Sequence, residues 1–461
     1  MKAVLRRKGF FISPDDIELL FLLAAIHELN GCGRSVIEFI GYFCASLAIA
    51  SSLIGLLSVF IFRSHIKHWT RKTPATYPAL TVISPQRGKI DPENVEAILE
   101  QNYPGVWEII FVTTKDDASL PQLQHYLQKY KNVKIAIAED VVELATTKGI
   151  HRCQKNNNLL TAIKAASPQT EVYAIIDADA RPFSDWLSCL VAPLTDANSR
   201  LGVVTSARIY LPGKGLASLV QVLWILISAM FLVGKCRYIW GGGLAIPKKV
   251  FDNANLARQI NGQGGSSITT DDMNIYNALR EQGYESLFVP DCIVLRHPPK
   301  HKESLFNVIG FTNRQVLQTW WTTRGIWVLL CNIGIRLPML LCALVIAWWY
   351  PWCLLALLSI VIDVFMGISA LKTVIDAEPR LSAKLIFWIM KSKGALAGRS
   401  LQPEIRIQVN FWIVLLPIVT PFVVTLNTFT VPFFRKMYWS GIAYTRRKVL
   451  GYTGDFSWRT K

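Results

Sequence analysis

The sequence predicts an integral membrane protein in which apolar helices flank a cytoplasmic α/β domain built on a doubly wound sheet. Three observations predict it. Of the 461 residues, 51% are hydrophobic, and mean hydropathy is +0.31, more apolar than an ordinary soluble chain and long enough for more than one domain. Long apolar runs lie before and after a stretch of globular composition, from Pro74 to Arg324, in which strand-like and helical segments alternate. Within that stretch Tyr173-Ala174-Ile175-Ile176 runs into Asp177-Ala178-Asp179. A buried strand ends in this way when its C-terminal end delivers carboxylates to the mouth of an open sheet.

Residues 1–34 form a nearly balanced N-terminal segment, with Asp15, Asp16, Glu18 and Glu28 offsetting Lys2, Arg6, Arg7 and Lys8. No cleavage site of small residues follows the next apolar run, so it does not read as a signal peptide. Residues 35–62 are long enough to cross a bilayer. Arg63, His65, Lys67, His68, Arg71 and Lys72 follow with no acid among them, which places the next segment in the cytoplasm. Residues 74–324 then form the α/β domain. Its strands are expected at 79–84, 108–112, 133–138 and 173–176, with a helix over 94–101 joining the first two. Residues 216–234 would pass as another span on hydropathy alone. A crossing there would put Asp177 and Asp179 on the opposite side of the membrane from Asp271 and Asp272, so this segment is expected to lie in the interface or pack under the sheet.

Residues 325–434 are apolar again, with candidate spans at 326–349 and 352–371 that Arg336 and Asp363 interrupt. The last apolar stretch, 410–434, contains Pro417, Pro421 and Pro432. Three crossings would put the basic tail of residues 435–461 outside, so one of these segments is expected to re-enter or lie flat and leave the tail cytoplasmic. The formal charge of +17 comes from 49 Lys and Arg against 32 acids. Its basic residues sit beside apolar segments rather than in a nucleic-acid motif, so an anionic membrane surface is the expected partner. The nine Cys form no CxxC pair and read as reduced packing residues.

Chemistry concentrates in acidic pairs: Asp116-Asp117 after the second strand, Asp177 with Asp179 after the fourth, and Asp271-Asp272 after a glycine-rich loop. Two hard carboxylates at a strand end can hold a divalent cation, which in turn can neutralise a diphosphate. Asp271 and Asp272 follow Thr269 and Thr270 and precede a helical pattern ending near Gly283. One of the two caps that helix, leaving the other as a general base. His297, in a Pro-rich loop with no visible partner, reads as structural.

The ordered set is Leu80-Thr81-Val82-Ile83-Ser84-Pro85, Asn102-Tyr103-Pro104, Lys155-Asn156-Asn157-Asn158-Leu159, Asp177-Ala178-Asp179, Gly242-Gly243 and Thr270-Asp271-Asp272. It resembles the family-2-like GT-A glycosyltransferases, and within them the ceramide glucosyltransferase group (family 21-like) with its bacterial membrane relatives. The resemblance implies a GT-A (Rossmann-like, mixed-sheet) domain embedded between transmembrane helices. It implies Asp116 or Asp117 on the uracil of a UDP-sugar and Lys155 and Asn158 beside the sugar nucleotide. It further implies Asp177 and Asp179 on Mg2+ or Mn2+ and its diphosphate, and Asp272 as base with Asp271 beside it. The family's fourth motif, Q/RxxRW, is altered: Leu317 and Gln318 stand where Arg and Trp are expected. Arg314 remains a candidate for the diphosphate, with Gln315 next to it. Trp320, Trp321 and Arg324 either reach the pocket from the next helical turn or form an interfacial aromatic belt.

The function this implies is inverting transfer of a hexose, glucose or N-acetylglucosamine-like, from a UDP-sugar to the hydroxyl of a membrane lipid acceptor, giving a glycolipid. A processive polysaccharide synthase uses the same acidic motifs and is the alternative enzyme reading. A catalytically silent membrane scaffold is the alternative from another class.

Overall fold

The computed structural model describes residues 36–195, 200–210, 216–263, 267–296, 304–322, 324–377 and 419–452, with no side-chain description for 324–329, 371 and 374–377. The expectations for residues 1–34, His297, the Arg324 side chain, residues 378–418 and the last nine residues of the tail lie outside the described residues.

Helix α1 (Val36–Lys67) leads to β1 (Leu80–Pro85), α2 (Pro92–Leu99), β2 (Trp107–Thr114), α3 (Leu120–Lys129), β3 (Val133–Ala138), α4 (Val141–Thr147), α5 (Gln154–Ala165) and β4 (Val172–Ile176). These strands fall within a residue or two of the expected ones. Helix α2 starts two residues early because Pro92 occupies its first turn and the Asp91 side chain accepts from Glu93 N at 3.1 Å. Next come α6 (Trp186–Val191), β5 (Leu201–Thr205), β6 (Arg208–Tyr210), α7 (Leu216–Met230), β7 (Gly243–Pro247), α8 (Lys248–Asn253), α9 (Leu256–Ile260), α10 (Asp272–Glu281), β8 (Glu285–Phe288) and β9 (Val294–Arg296).

Seven strands form one sheet in the order β3-β2-β1-β4-β7-β5-β8. The first four run parallel, and β7 is antiparallel to both β4 and β5, which makes the sheet mixed. Side-chain alternation builds three layers. Val82, Ile109, Phe111, Ala174 and Ile176 face one core with Val95 and Ile98 of α2 and Trp186 of α6. Ile83, Ile110, Val112, Tyr173 and Ile175 face the other, with Leu159 of α5 and Ile275 of α10. Burial on both faces is why these strands read as continuous apolar runs.

Residues 216–230 of the apolar segment form helix α7. It has 15 residues, about 22 Å at 1.5 Å per residue, and buries Val220, Trp224 and Leu226 against the protein. It packs mainly on β6 and on the later helix α11 (Leu305–Thr322), and it also touches α1.

Helices α12 (Arg324–Ile346) and α13 (Leu358–Ala377) pack on α1. Small residues permit the contact: a Cβ on Gly41 would lie 2.6 Å from Cys353 Sγ, and one on Gly55 would lie 2.8 Å from Met366 Sδ. The pairing of 41 with 353, in the 3-10 turns just before α13, and of 55 with 366 makes α1 and α13 run in the same direction. Arg336 and Asp363, which interrupt the apolar pattern, are buried and paired at 2.7 Å. After the apolar helix α14 (Val419–Phe433), residues expected to form a basic tail instead build a three-stranded meander, β10 (Met437–Trp439), β11 (Ile442–Tyr444) and β12 (Val449–Tyr452). The reason lies in its apolar alternation: Met437, Ile442, Tyr444 and Val449 are buried against Val141, Cys153 and Val316. The basic residues Arg446, Arg447 and Lys448 sit in the last turn.

Candidate active site

The carboxylates converge where β4 ends. Asp177 and Asp179 leave the sheet there, the Asp177 amide donating to the Gly242 carbonyl at 3.0 Å. The strip 241–243 lies so close that side chains are excluded. A Cβ on Gly242 would fall 2.2 Å from Asp177 Oδ2, and one on Gly241 would fall 2.6 Å from Asp271 Oδ2. The Gly241 amide donates to Asp272 Oδ2 at 3.1 Å. Thus one glycine strip brings the second and third acidic pairs to a single place.

Lys155, in the first turn of α5, bridges them. Its Nζ lies 3.0 Å from Asp177 Oδ1 and 3.1 Å from Asp271 Oδ2, and it donates to the Gly241 carbonyl at 3.1 Å. Burial opposes its charge, but Asp177, Asp271 and Asp272 outweigh burial and raise its pKa. Asp271 is buried behind this lysine. Burial first, then the charges of Asp272 and Asp177, push its carboxyl up to about 6 despite Lys155. Asp272 is half-buried at the mouth; its Oδ1 accepts from Thr270 Oγ1 at 2.6 Å and Met273 N at 2.8 Å, which holds the other carboxylate edge toward the strip.

The raised Asp271 pKa fixes a sign. Its folded value of about 6 exceeds the ordinary 3.8, so its contribution to stability is full below the ordinary value and is lost as pH rises through about 6. Asp271→Asn is expected to flatten this part of the pH dependence of thermal unfolding, followed on the full-length protein from about pH 4 to about pH 7. An unchanged slope would show that Asp271 does not titrate there.

A second set of charges was not singled out from sequence. Arg208 and Arg296, on the paired strands β6 and β9, reach Asp179 at 2.8 and 3.0 Å. Arg208 also lies 3.5 Å from Asp177. Burial would raise the Asp179 pKa, but the two guanidiniums overcome it and hold the carboxyl down to about 2. Both arginines stack over Tyr210. The available signal was Arg208-Ile209-Tyr210 directly after a strand, and Arg296 beside the more conspicuous His297. Arg314 lies on α11 against Phe311 and Trp439, 5.6 and 5.1 Å from the ring centres. Its Nε is buried without a hydrogen-bond partner, and burial, with Arg208 and Arg296 nearby, lowers the guanidinium to about 10.

Other expected residues sit differently. Asp116 is exposed. Asp117 Oδ1 accepts from Gly88 N at 2.8 Å and Ser119 N at 2.9 Å, tying the loop after β1 to the end of β2. Asn158 is buried, accepting from Gln154 at 2.8 Å and donating to the Val112 carbonyl at 3.3 Å, so its amide joins α5 to β2. Gln315 is half-buried and Trp320 exposed on α11. Trp321 packs in the core with Met273. Gln318, standing where the family motif has Trp, donates to the Thr269 carbonyl at 2.6 Å and so pins the loop that carries Asp271 and Asp272.

The sequence profile of glycosyl transferase family 21 matches residues 45–241, ending ahead of Asp271. No curated protein matches the chain. Among solved structures, a mannosyltransferase from Pyrobaculum calidifontis in complex with GDP-Man and Mn2+ is 17% identical at a TM-score of 0.41, covering 82% of this chain and 99% of that one. Glucosyl-3-phosphoglycerate synthase from Mycobacterium tuberculosis, in complex with Mn2+, UDP and glucosyl-3-phosphoglycerate, is 13% identical at 0.34, covering 53% and 80%. Over residues 45–241, which hold β1 to β4 and Asp177 and Asp179, the chain is thus similar to glycosyl transferase family 21.

Proposed function

We propose that this chain transfers a hexose from a UDP-sugar to the hydroxyl of a membrane lipid, with inversion, at the cytoplasmic face of a membrane. The observation that carries the reading is the convergence of Asp177, Asp179, Asp271 and Asp272 with Lys155, Arg208 and Arg296 along one glycine strip. Among the described residues two helices, Val36–Lys67 and Pro351–Ala370, are long and apolar enough to cross a membrane. The basic run after the first supports a cytoplasmic domain.

Asp177 and Asp179 fit a divalent cation in one respect: both present hard oxygens at a solvent-facing strand end. Among the described residues no group of three or more Asp, Glu, His or Cys is placed to hold a metal. The protein would therefore supply two carboxylates, and the donor diphosphate and water the other ligands. Bound there, Mg2+ or Mn2+ would supply charge neutralisation to the diphosphate. Arg208, Arg296 and Arg314 would receive the negative charge of the leaving group. Asp272 takes the acceptor hydroxyl proton, the freed oxygen attacks the anomeric carbon, and the carbon–oxygen bond to the diphosphate breaks, leaving UDP. One displacement inverts the anomeric configuration.

The test is purified full-length protein with radiolabelled UDP-sugars and extracted membrane lipids, with and without chelator. A single labelled glycolipid supports the reading. A polymer supports a polysaccharide synthase, and absence of both transfer and hydrolysis supports a scaffold. In the same assay Gly242→Ala is expected to lower turnover about a hundredfold, because the added methyl displaces Asp177 by the order of an ångström. Wild-type turnover in this variant would mean the Asp177 position is unimportant.

A further inference from the structure

Helices α1 and α13 run in the same direction, and their C-terminal ends meet the α/β domain at a cavity of about 440 Å³ lined by Arg63, Lys67, Trp69, Arg71, Asp291 and Thr373. Outward-facing apolar residues occupy both helices up to this level: Leu53, Leu57, Phe60 and Ile61 on one, Val361, Phe365 and Ile368 on the other. The cations begin within one turn of the last of them. If the two helices cross a bilayer, as the reading above holds, the cavity opens at the headgroup layer.

Two of its three cations are not spent internally. Arg71 pairs with Asp185, and Trp69 Nε1 donates to Asp291 Oδ2 at 2.7 Å, which leaves that carboxylate partly satisfied. Arg63 and Lys67 have no acidic partner among the described residues. The floor is firm, since His65 Nε2 bonds the Phe288 carbonyl at 3.0 Å and stacks on its ring, fixing the end of α1 against edge strand β8. The cavity lies at the sheet edge opposite β3, and none of its lining residues belongs to the acidic cluster.

We infer that this cavity binds the phosphate of an anionic phospholipid headgroup, with Arg63 and Lys67 as its principal ligands and the acyl chains lying along α1 and α13. Two free cations facing a concave opening at headgroup level match a phosphodiester, and a zwitterionic headgroup brings its own cation into conflict with them. Trp69 suits the same level, its ring apolar and its N–H already satisfied.

The test uses full-length protein in neutral detergent, counting bound lipids by native mass spectrometry with phosphatidylglycerol or phosphatidylcholine added. Wild type is expected to retain one phosphatidylglycerol in preference to phosphatidylcholine. Arg63→Gln with Lys67→Gln is expected to weaken it about thirtyfold. Lys131→Gln with Lys164→Gln, which removes the same charge from the exposed surface elsewhere, is expected to leave it unchanged. Equal retention of the two lipids, or equal losses in the two double variants, overturns the inference. Displacement of phosphatidylglycerol by millimolar inorganic phosphate also overturns it and assigns the site to free phosphate. The lipid count involves no sugar donor, so it is independent of transfer. Release of the protein from membranes by alkaline carbonate would refute the membrane-spanning reading separately.

Discussion

Asp272→Asn is expected to lower kcat by about a hundred- to ten-thousandfold while the affinity for UDP stays within about threefold. The geometry separates these effects. An Asn oxygen can still accept from Thr270 and Met273, the two bonds that hold Asp272 Oδ1, so the start of α10 keeps its shape. The other edge, which faces Gly241 at the mouth, can no longer take a proton. Asp271→Asn is expected to act differently, because Asp271 is buried and shares Lys155 with Asp177. Its removal releases Lys155 toward Asp177 and raises the KM for donor more than it lowers kcat. Stopped product formation and calorimetric UDP binding, measured on both variants, separate the roles. If Asp272→Asn turned over at the wild-type rate, or Asp271→Asn alone lost kcat, the base would be misassigned.

The parts of the fold legible in the sequence were those set by burial on both faces of a strand. Ile109 to Val112 and Tyr173 to Ile176 are apolar without interruption because helices cover both sides of the sheet. The glycines ahead of β7 carry no sign in the sequence of what they approach, which is carboxylates distant along the chain. Arg208 and Arg296 were missed for a similar reason. An arginine two residues before a tyrosine looks like any solvated edge, and the pairing of β6 with β9 sets both guanidiniums on Asp179. Asn158 lies one turn beyond Lys155 on α5, and its amide is taken up by Gln154 and the Val112 carbonyl, contacts that only the packing of α5 on β2 sets. The meander over 437–452 was hidden by its own basic turn. Net charge dominated the reading of that segment, whereas the alternation of Met437, Ile442, Tyr444 and Val449 decides where it packs.

The charges within the apolar helices give the second large effect. Arg336 donates to Asp363 Oδ1 at 2.7 Å, to the Ser51 carbonyl at 3.0 Å and to Ser51 Oγ at 3.2 Å, and Ser51 Oγ in turn donates to the Asn332 carbonyl at 2.7 Å. One guanidinium therefore joins α1, α12 and α13, with 4% of its side chain exposed and 7% of its partner's. Asp363→Leu leaves that guanidinium buried with no counter-charge and no means of neutralising itself, and is expected to destabilise the protein by about 3–5 kcal/mol. Arg336→Met is expected to be milder, because an orphaned carboxyl can take up a proton and remain as a neutral acid. The double variant, Arg336→Met with Asp363→Leu, is expected to recover most of the loss, since apolar side chains of similar volume need no desolvated partner. Thermal unfolding midpoints of the four proteins in one detergent give the double-mutant cycle directly. A single Asp363→Leu variant as stable as wild type would show that the helices are held by apolar packing alone and that the ion pair contributes nothing to their association.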